Sequence, residues 1–346
     1  MKILRCLLVV FFVVLIFSSQ TYPCSSFVLK SDNILIFGTN YDNKIYPGQI
    51  FVNKRNVRKT GWEPGTAGNV AEWVSKYGSV TFNVAGYQLP WAGMNEKGLV
   101  ISTMALYETE NPNPDERPPL VSAYWMQYIF DTCATVDDVI ASDKIVRIKD
   151  TVDHYLICDA GGNIAVIEFL DGKMVVYKQE SLPIKALTNS VYSQCISELN
   201  EGNLEKSNNS KKRFAKMQKM LTNYQADSNI TPVSYSFEIL DEVSAGRYTR
   251  WSIVFDIKNG IIYFKTYKNK NEREININNF DYSCETPVLM MDVHLKQKGD
   301  VTGNLKEFNG KECLKHFKRF LKRYDLEMPE EEIEKLFNMF ITFPCI

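Results

Sequence analysis

Histidine is scarce in this chain: only His154, His294 and His316 occur in 346 residues. That scarcity excludes most His-dependent catalytic triads and multi-His metal centres, so any catalytic base has to come from another group. Charge of one sign is also lacking. Forty Lys and Arg stand against 41 Asp and Glu, for a formal net charge of −1, and the basic excess that marks a nucleic-acid binder is missing. The chain has no Gly-x-x-x-x-Gly-Lys-Ser/Thr loop, no His-Glu-x-x-His and no Cys-x-x-Cys, which removes the common phosphate-loop, zincin and redox motifs. No internal repeat or low-complexity tract is visible. The composition that remains, 45% hydrophobic and 12% aromatic, is enough to bury a large core in one domain or two interlocked ones, and it excludes disorder.

The apolar run Leu7–Phe17 has eleven residues. At about 1.5 Å per residue it falls well short of a hydrocarbon core of about 30 Å. Lys2 and Arg5 precede it, and Ser18, Ser19, Gln20 and Thr21 follow it, which is the three-part pattern of a secretory signal peptide. The expectation is a secreted or extracytoplasmic protein without a stable membrane anchor. It divides into a signal peptide and short propeptide over 1–23, a main domain over 24–290, and a helical C-terminal extension over 291–346. Export also sets the redox context. Of eight cysteines, Cys6 leaves with the signal, Cys24 lands at or next to the mature N-terminus, and six remain, enough for up to three disulfides whose pairing the spacing does not assign.

Short β-rich runs bounded by turn residues dominate the mature chain: Ser26–Leu29, Ile34–Phe37, Ile50–Val52, Ser79–Val84, Leu99–Leu106 and Tyr155–Cys158. Asp171-Gly172 joins Asn163–Leu170 to Lys173–Tyr177 as a tight hairpin, and Asn259-Gly260 joins Trp251–Asp256 to Ile261–Tyr267. Helices are predicted over Leu120–Cys133, over Val136–Ala141 behind a Thr135 cap, over Arg213–Tyr224 and over Phe237–Val243. The polar stretch Asn200–Lys212 reads as an exposed loop. Lys311–Tyr324 and Pro329–Phe340 are amphipathic, the first docking through Leu314, Phe317, Phe320 and Leu321. Hairpin groups with helices between them predict an α+β protein, an antiparallel sheet system covered by helices.

Cys24 stands out by position. A cysteine at a mature N-terminus carries its own base, because a free α-amine with a reference pKa of about 7.7 to 8.0 can accept the thiol proton. A structural disulfide and a lipid anchor are the other readings of this residue, the second weakened because Thr21-Tyr22-Pro23 does not resemble a lipoprotein cleavage box. Downstream, a strand ends in Gly38-Thr39-Asn40-Tyr41-Asp42, and Gly93-Met94-Asn95-Glu96-Lys97-Gly98-Leu99 forms a strand-joining turn.

Together with Leu187-Thr188-Asn189-Ser190 and the hairpin 251–268, these segments resemble the choloylglycine hydrolase and penicillin V acylase family. These are linear-amide C–N hydrolases of the N-terminal nucleophile (Ntn) superfamily, and the likeness runs from Cys24 to about Asn269. The resemblance implies a four-layer αββα Ntn-hydrolase sandwich and hydrolysis of a small N-acyl amide without a cofactor or metal. It assigns Cys24 as nucleophile, Asp42 as the carboxylate that orients amine and thiol, and Asn95 and Asn189 as oxyanion donors. Arg213 is an approximate match to a family arginine, with Arg247 and Arg250 as alternatives. Where many members have Gly-Arg-Asn before the catalytic Asp, this chain has Gly38-Thr39-Asn40. Trp62, Trp73, Trp91 and Tyr124 either line an acyl pocket or fill the core. The readings that remain open are a hydrolase, a transacylase, and a non-catalytic binding protein on the same fold; homo-oligomerisation is open too.

Overall fold

A computed structural model describes residues 23–45, 47–61, 70–202, 208–226, 229–324, 326, 328–341 and 343–346. Residues 1–22, most of the expected signal peptide and propeptide over 1–23, and Trp62 lie outside the described residues. Local chemistry accounts for much of the architecture. Asp171 and Gly172 both take positive φ, 51° and 70°, the geometry of a two-residue turn whose twist matches the strands it joins. Strand Ile164–Leu170 therefore folds straight back onto Lys173–Lys178. Thr135 caps the helix Val136–Ser142 by accepting from Asp138 N, and the Asp138 carboxylate returns the contact to the Thr135 amide.

Two large sheets result. One has seven strands, in the order Ala186–Thr188, Ser25–Ser31, Ile34–Asp42, Thr249–Asp256, Ile261–Thr266, Asn269–Asn276 and Gly299–Asp300. The other is an antiparallel sheet of nine, in the order Lys173–Lys178, Ile164–Leu170, Asp153–Cys158, Val100–Ala105, Pro90–Asn95, Ser79–Asn83, Gln49–Asn53, Leu289–Asp292 and Lys306–Glu307. They face each other across an apolar interior in which Phe82 meets Phe255 and Phe264 at 6.4 and 5.5 Å. Helices Asn209–Thr222 and Pro232–Glu242 cover the first sheet, and Ser122–Thr132 covers the second. The α+β, four-layer αββα sandwich expected from the sequence is the fold.

Several boundaries differ for identifiable reasons. Part of the stretch read as a loop is helix, because the Asn208 side chain accepts from Lys211 N and starts the helix at Asn209. The next helix begins at Pro232, behind a Thr231 cap and with proline in its first turn. Pro119–Val121 is a short strand paired with Arg147–Lys149, so the helix behind it starts at Ser122. The strand read as Ile34–Phe37 runs on to Asp42. Gly38 permits this, since a Cβ there would sit 2.4 Å from Phe27 Cζ.

The expected division at 290/291 falls inside strand Leu289–Asp292, which pairs with Gln49–Asn53. The C-terminal segment is thus partly sheet. Its helices Gly310–Arg323 and Glu330–Ile341 pack together through Phe317 and Phe337, with ring centroids 6.2 Å apart. Phe317, Phe320 and Leu321 are buried and Leu314 is partly so. A disulfide, Cys284–Cys345, ties the chain end down, beside the bond from Arg58 N to Pro344 O at 3.0 Å. Among the described residues no helix is long and apolar enough to cross a membrane.

Candidate active site

Cys24 immediately precedes the strand Ser25–Ser31, which lies between Ala186–Thr188 and Ile34–Asp42. Register then decides who meets whom. Ser25 pairs with Asn40 on one side and Thr188 on the other, so residue 24 comes level with the end of the Asp42 strand and with Asn189. The Cys24 thiol is free, buried, and donates to the Asp42 main-chain oxygen at 3.7 Å. The disulfide reading of Cys24 is therefore excluded; the cysteines that pair are 284 and 345.

Asp42 is 1% exposed. Its Oδ1 accepts from the hydroxyl of Thr249, the residue opposite it in the neighbouring strand. Thr249 Oγ1 in turn accepts from Ala245 N at 2.8 Å. The ladder slips between Thr249 and Trp251, the kind of irregularity that re-aims a side chain beside a site. Asp42 Oδ2 is buried and has no hydrogen-bond partner among the described residues.

Arg213 joins the pieces from helix Asn209–Thr222. It donates to Cys24 O and Ser25 Oγ through one terminal nitrogen, to Asn189 Oδ1 through the other at 3.1 Å, and to Asn209 Oδ1 through Nε at 2.9 Å. Asn189 gives one amide hydrogen to Ala105 O at 2.9 Å, and its second meets no described acceptor. Arg250 lies at the edge of the site, donating to Asn43 O next to Asp42, stacking on Tyr267 and favouring the ionised Asp42 carboxyl, while Arg247 stacks on Tyr248.

Asn95 needs correcting. Both of its amide hydrogens are used, by Phe130 O at 3.0 Å and Cys133 O at 2.8 Å, while its Oδ1 accepts from Lys97 N and Leu99 N. It closes its own turn and caps the C-terminal end of helix Ser122–Thr132, so it has no donor to offer an oxyanion. Thr39 is buried and joins a chain of hydroxyls, with Ser26 Oγ 2.7 Å from Thr39 Oγ1 and 2.8 Å from Ser102 Oγ. This chain of hydroxyls links the two sheets close behind Cys24. Trp91 flanks the site, 4.9 Å from Tyr41, whereas Trp73 donates to Asp131 in a separate buried network and Tyr124 is core. Sequence reading missed Ser25 and Thr249. Alternation along the strand could have singled out Ser25; nothing local marks Thr249.

Electrostatics follow from burial. With Cys24 still joined to Pro23, desolvation and the nearby Asp42 push the Cys24 thiol far above its usual range, so it is held protonated. Burial raises the Asp42 carboxyl to about 7, against the opposing pull of the Thr249 hydrogen bond and the Arg213 charge. Burial also lowers Arg213 to about 10, still fully cationic at neutral pH. The assembled parts are a latent thiol, a carboxylate oxygen lacking a partner, a guanidinium clamped on the cysteine carbonyl, and an asparagine with a donor to spare. Among the described residues no three His, Cys, Asp or Glu side chains gather as metal ligands.

Residues 24–224 match the model of the linear amide C–N hydrolases, choloylglycine hydrolase family. A penicillin V acylase of Pectobacterium atrosepticum is 34% identical over 145 residues, covering 36% of this chain and 38% of that protein. The match thus spans well under half the length of that relative. The solved penicillin V acylase of Agrobacterium tumefaciens superposes with a TM-score of 0.70 at 25% identity, over 83% of this chain and 98% of that one. A mutant conjugated bile acid hydrolase of Clostridium perfringens shares the fold, with a TM-score of 0.65 at 18% identity over 80% and 98% of the two chains.

Proposed function

This chain belongs to the choloylglycine hydrolase family of linear amide C–N hydrolases, and from that premise we propose that it is a secreted amidase whose nucleophile is Cys24 released as the N-terminal residue. The observation that carries the proposal is the Asp42 carboxylate: buried, beside the thiol, with one oxygen unpartnered. A buried lone acceptor is costly unless something comes to fill it, and an α-ammonium freed at Cys24 supplies both the donor and the charge. That cation would lower the thiol and convert a latent precursor into an active enzyme.

In the proposed reaction the amine takes the thiol proton, directly or through a water, and the sulfur attacks the amide carbonyl. Asn189 donates to the oxyanion, held in place through its Oδ1 by Arg213. The ammonium returns its proton to the leaving nitrogen as the C–N bond breaks, leaving a thioester on Cys24. Water activated by the same amine hydrolyses the thioester. Phenoxyacyl penicillins, conjugated bile acids, N-acyl lactones and fatty-acid amides are the substrate types to screen. A transacylase would use the same residues and differ only in the acceptor.

The test is the N-terminal sequence of the purified protein, together with release of amine from phenoxyacetyl and fatty-acyl amides. The expected result is a chain beginning at Cys24 that hydrolyses at least one of them. A stable chain beginning at Gln20, Thr21 or Tyr22 would leave the amine residues away from the thiol and overturn the mechanism.

A further inference from the structure

Asp153 is a second carboxylate near the nucleophile that the proposed chemistry leaves unused. It opens strand Asp153–Cys158 of the nine-stranded sheet, and that strand packs across the sandwich onto Ser25–Ser31 and Ala186–Thr188, the strands that adjoin Cys24 and Asn189. In the ladder Asp153 lies opposite Ala105, whose carbonyl accepts from Asn189. Asn189, Arg213 and Cys24 O follow in one hydrogen-bonded line. Its position is fixed by neighbours: Asp153 Oδ2 accepts from Ser122 Oγ at 3.0 Å, Ser122 Oγ lies 2.8 Å from Tyr155 OH, and Tyr155 OH lies 3.2 Å from Thr151 Oγ1. The charge reaches the nucleophile, where it opposes ionisation of the thiol.

Exposure gives this carboxylate a function. Residues around Cys24 are almost all buried, yet Val121, Ser122, Ala123, Val152, Asp153 and Asn189 each keep part of their surface open. These residues come from three segments that the contacts above draw together, so Asp153 and Asn189 are among the few groups beside Cys24 that solvent reaches. Arg213, the guanidinium at the site, is spent on Cys24 O, Ser25, Asn189 and Asn209. Burial raises the Asp153 carboxyl to about 6, which still leaves it mostly ionised at neutral pH, so a substrate group that reaches this open patch meets a negative charge.

Resting on the amidase reading of Cys24, we propose that Asp153 sets the charge selectivity of the site. It accepts a hydrogen bond from a protonated amine that the substrate carries close to the scissile amide, and it disfavours substrates bearing a carboxylate there.

The test uses three phenoxyacetyl amides of matched size: those of ethylenediamine, propylamine and glycine, whose amine halves are cationic, neutral and anionic. Kcat/KM should fall in that order, with the cationic amide at least about tenfold above the anionic one, an effect of about one pKa unit's worth of interaction. Asp153→Asn keeps an acceptor for Ser122 and should compress the ratio to within about threefold, the rate on the neutral amide serving as the internal reference for each protein. A phenylglycinamide and phenylacetamide pair, tested the same way, places the ammonium on the acyl half instead. Calorimetric binding of the same compounds to the Cys24→Ala protein reads the selectivity without turnover, so a failure of the amidase reading is separable from a failure here. An anionic amide bound or cleaved best, or ratios unmoved by Asp153→Asn in both the kinetic and the binding series, overturns the proposal.

Discussion

The Arg213 guanidinium donates to the main-chain carbonyl of Cys24, a residue 189 positions earlier in the chain. Backbone rather than side chain is the target on Cys24, so the arginine locks the conformation of that residue whatever the ionisation state of its thiol. The same group holds Asn189 by its oxygen, which leaves the amide nitrogen for other partners. Arg213→Lys keeps the charge but loses the planar fork. Kcat should drop by about a hundredfold, the scale of a misplacement of about 1 Å, with KM much less affected. Steady-state kinetics on any accepted amide decide this; a lysine variant with wild-type kcat would show that the charge alone suffices.

Cys24→Ala should abolish turnover while leaving the circular dichroism spectrum and thermal midpoint close to wild type. Among the described residues the thiol has one weak hydrogen bond to lose, to Asp42 O at 3.7 Å. Cys24→Ser should retain a small residual rate, because a hydroxyl is a poorer nucleophile at neutral pH. Measurable wild-type activity in the alanine variant rules out Cys24 as the attacking group.

Two asparagines that look alike in sequence should behave oppositely. Asn95→Ala strips partners from Phe130 O, Cys133 O, Lys97 N and Leu99 N, and it should lower folding stability by about 3 kcal/mol with kcat of the folded enzyme nearly intact. Asn189→Ala should lower kcat by about two to three orders of magnitude with a small change in stability. Denaturant melts paired with kinetics separate the two; the reverse pattern would restore Asn95 to the oxyanion site.

Burial raises the Asp42 carboxyl to about 7 in the chain whose Cys24 is still amide-linked, against a reference near 3.9 when unfolded. A group whose folded pKa is raised favours folding in its protonated form. Its contribution is complete below about pH 4 and is lost as pH rises through about 7. In the full chain carrying Cys24→Ala, the stability gained from Asp42→Asn should therefore grow between pH 4 and 7 and then level off. Once an α-ammonium sits beside Asp42, that slope should shrink. Thermal melts across this pH range check both statements, and a pH-independent gain contradicts the raised carboxyl.

The legible parts of this protein were those whose causes are local. Asp171-Gly172 requires a tight turn because both residues tolerate positive φ, and Thr135 with Asp138 states its own capping box. Alternating β-rich runs specify hairpins, and hairpins with helices between them leave few ways to bury two apolar sheet faces other than a layered sandwich. Cys24 stands out by its place in the chain, whereas Asp42 and Asn189 are picked out only through the family resemblance, because each alone reads as a turn residue. The helix starts at Asn209 and Pro232 are marked by their caps, Asn208 and Thr231, and lie ahead of the residues where apolar periodicity sets in.

By itself, then, the sequence determined the elements and the layered class and singled out Cys24 as the candidate nucleophile, all consequences of side-chain period, turn chemistry and position along the chain. Tertiary structure decided which donors are free. Asn95 is consumed by carbonyls 35 and 38 residues away, Thr249 reaches Asp42 across a slipped ladder, and Cys284 finds Cys345 rather than any other thiol. Each of these depends on strand register and on which faces pack together, and a hydrogen bond or disulfide between distant residues leaves no mark on the residues beside it in the chain.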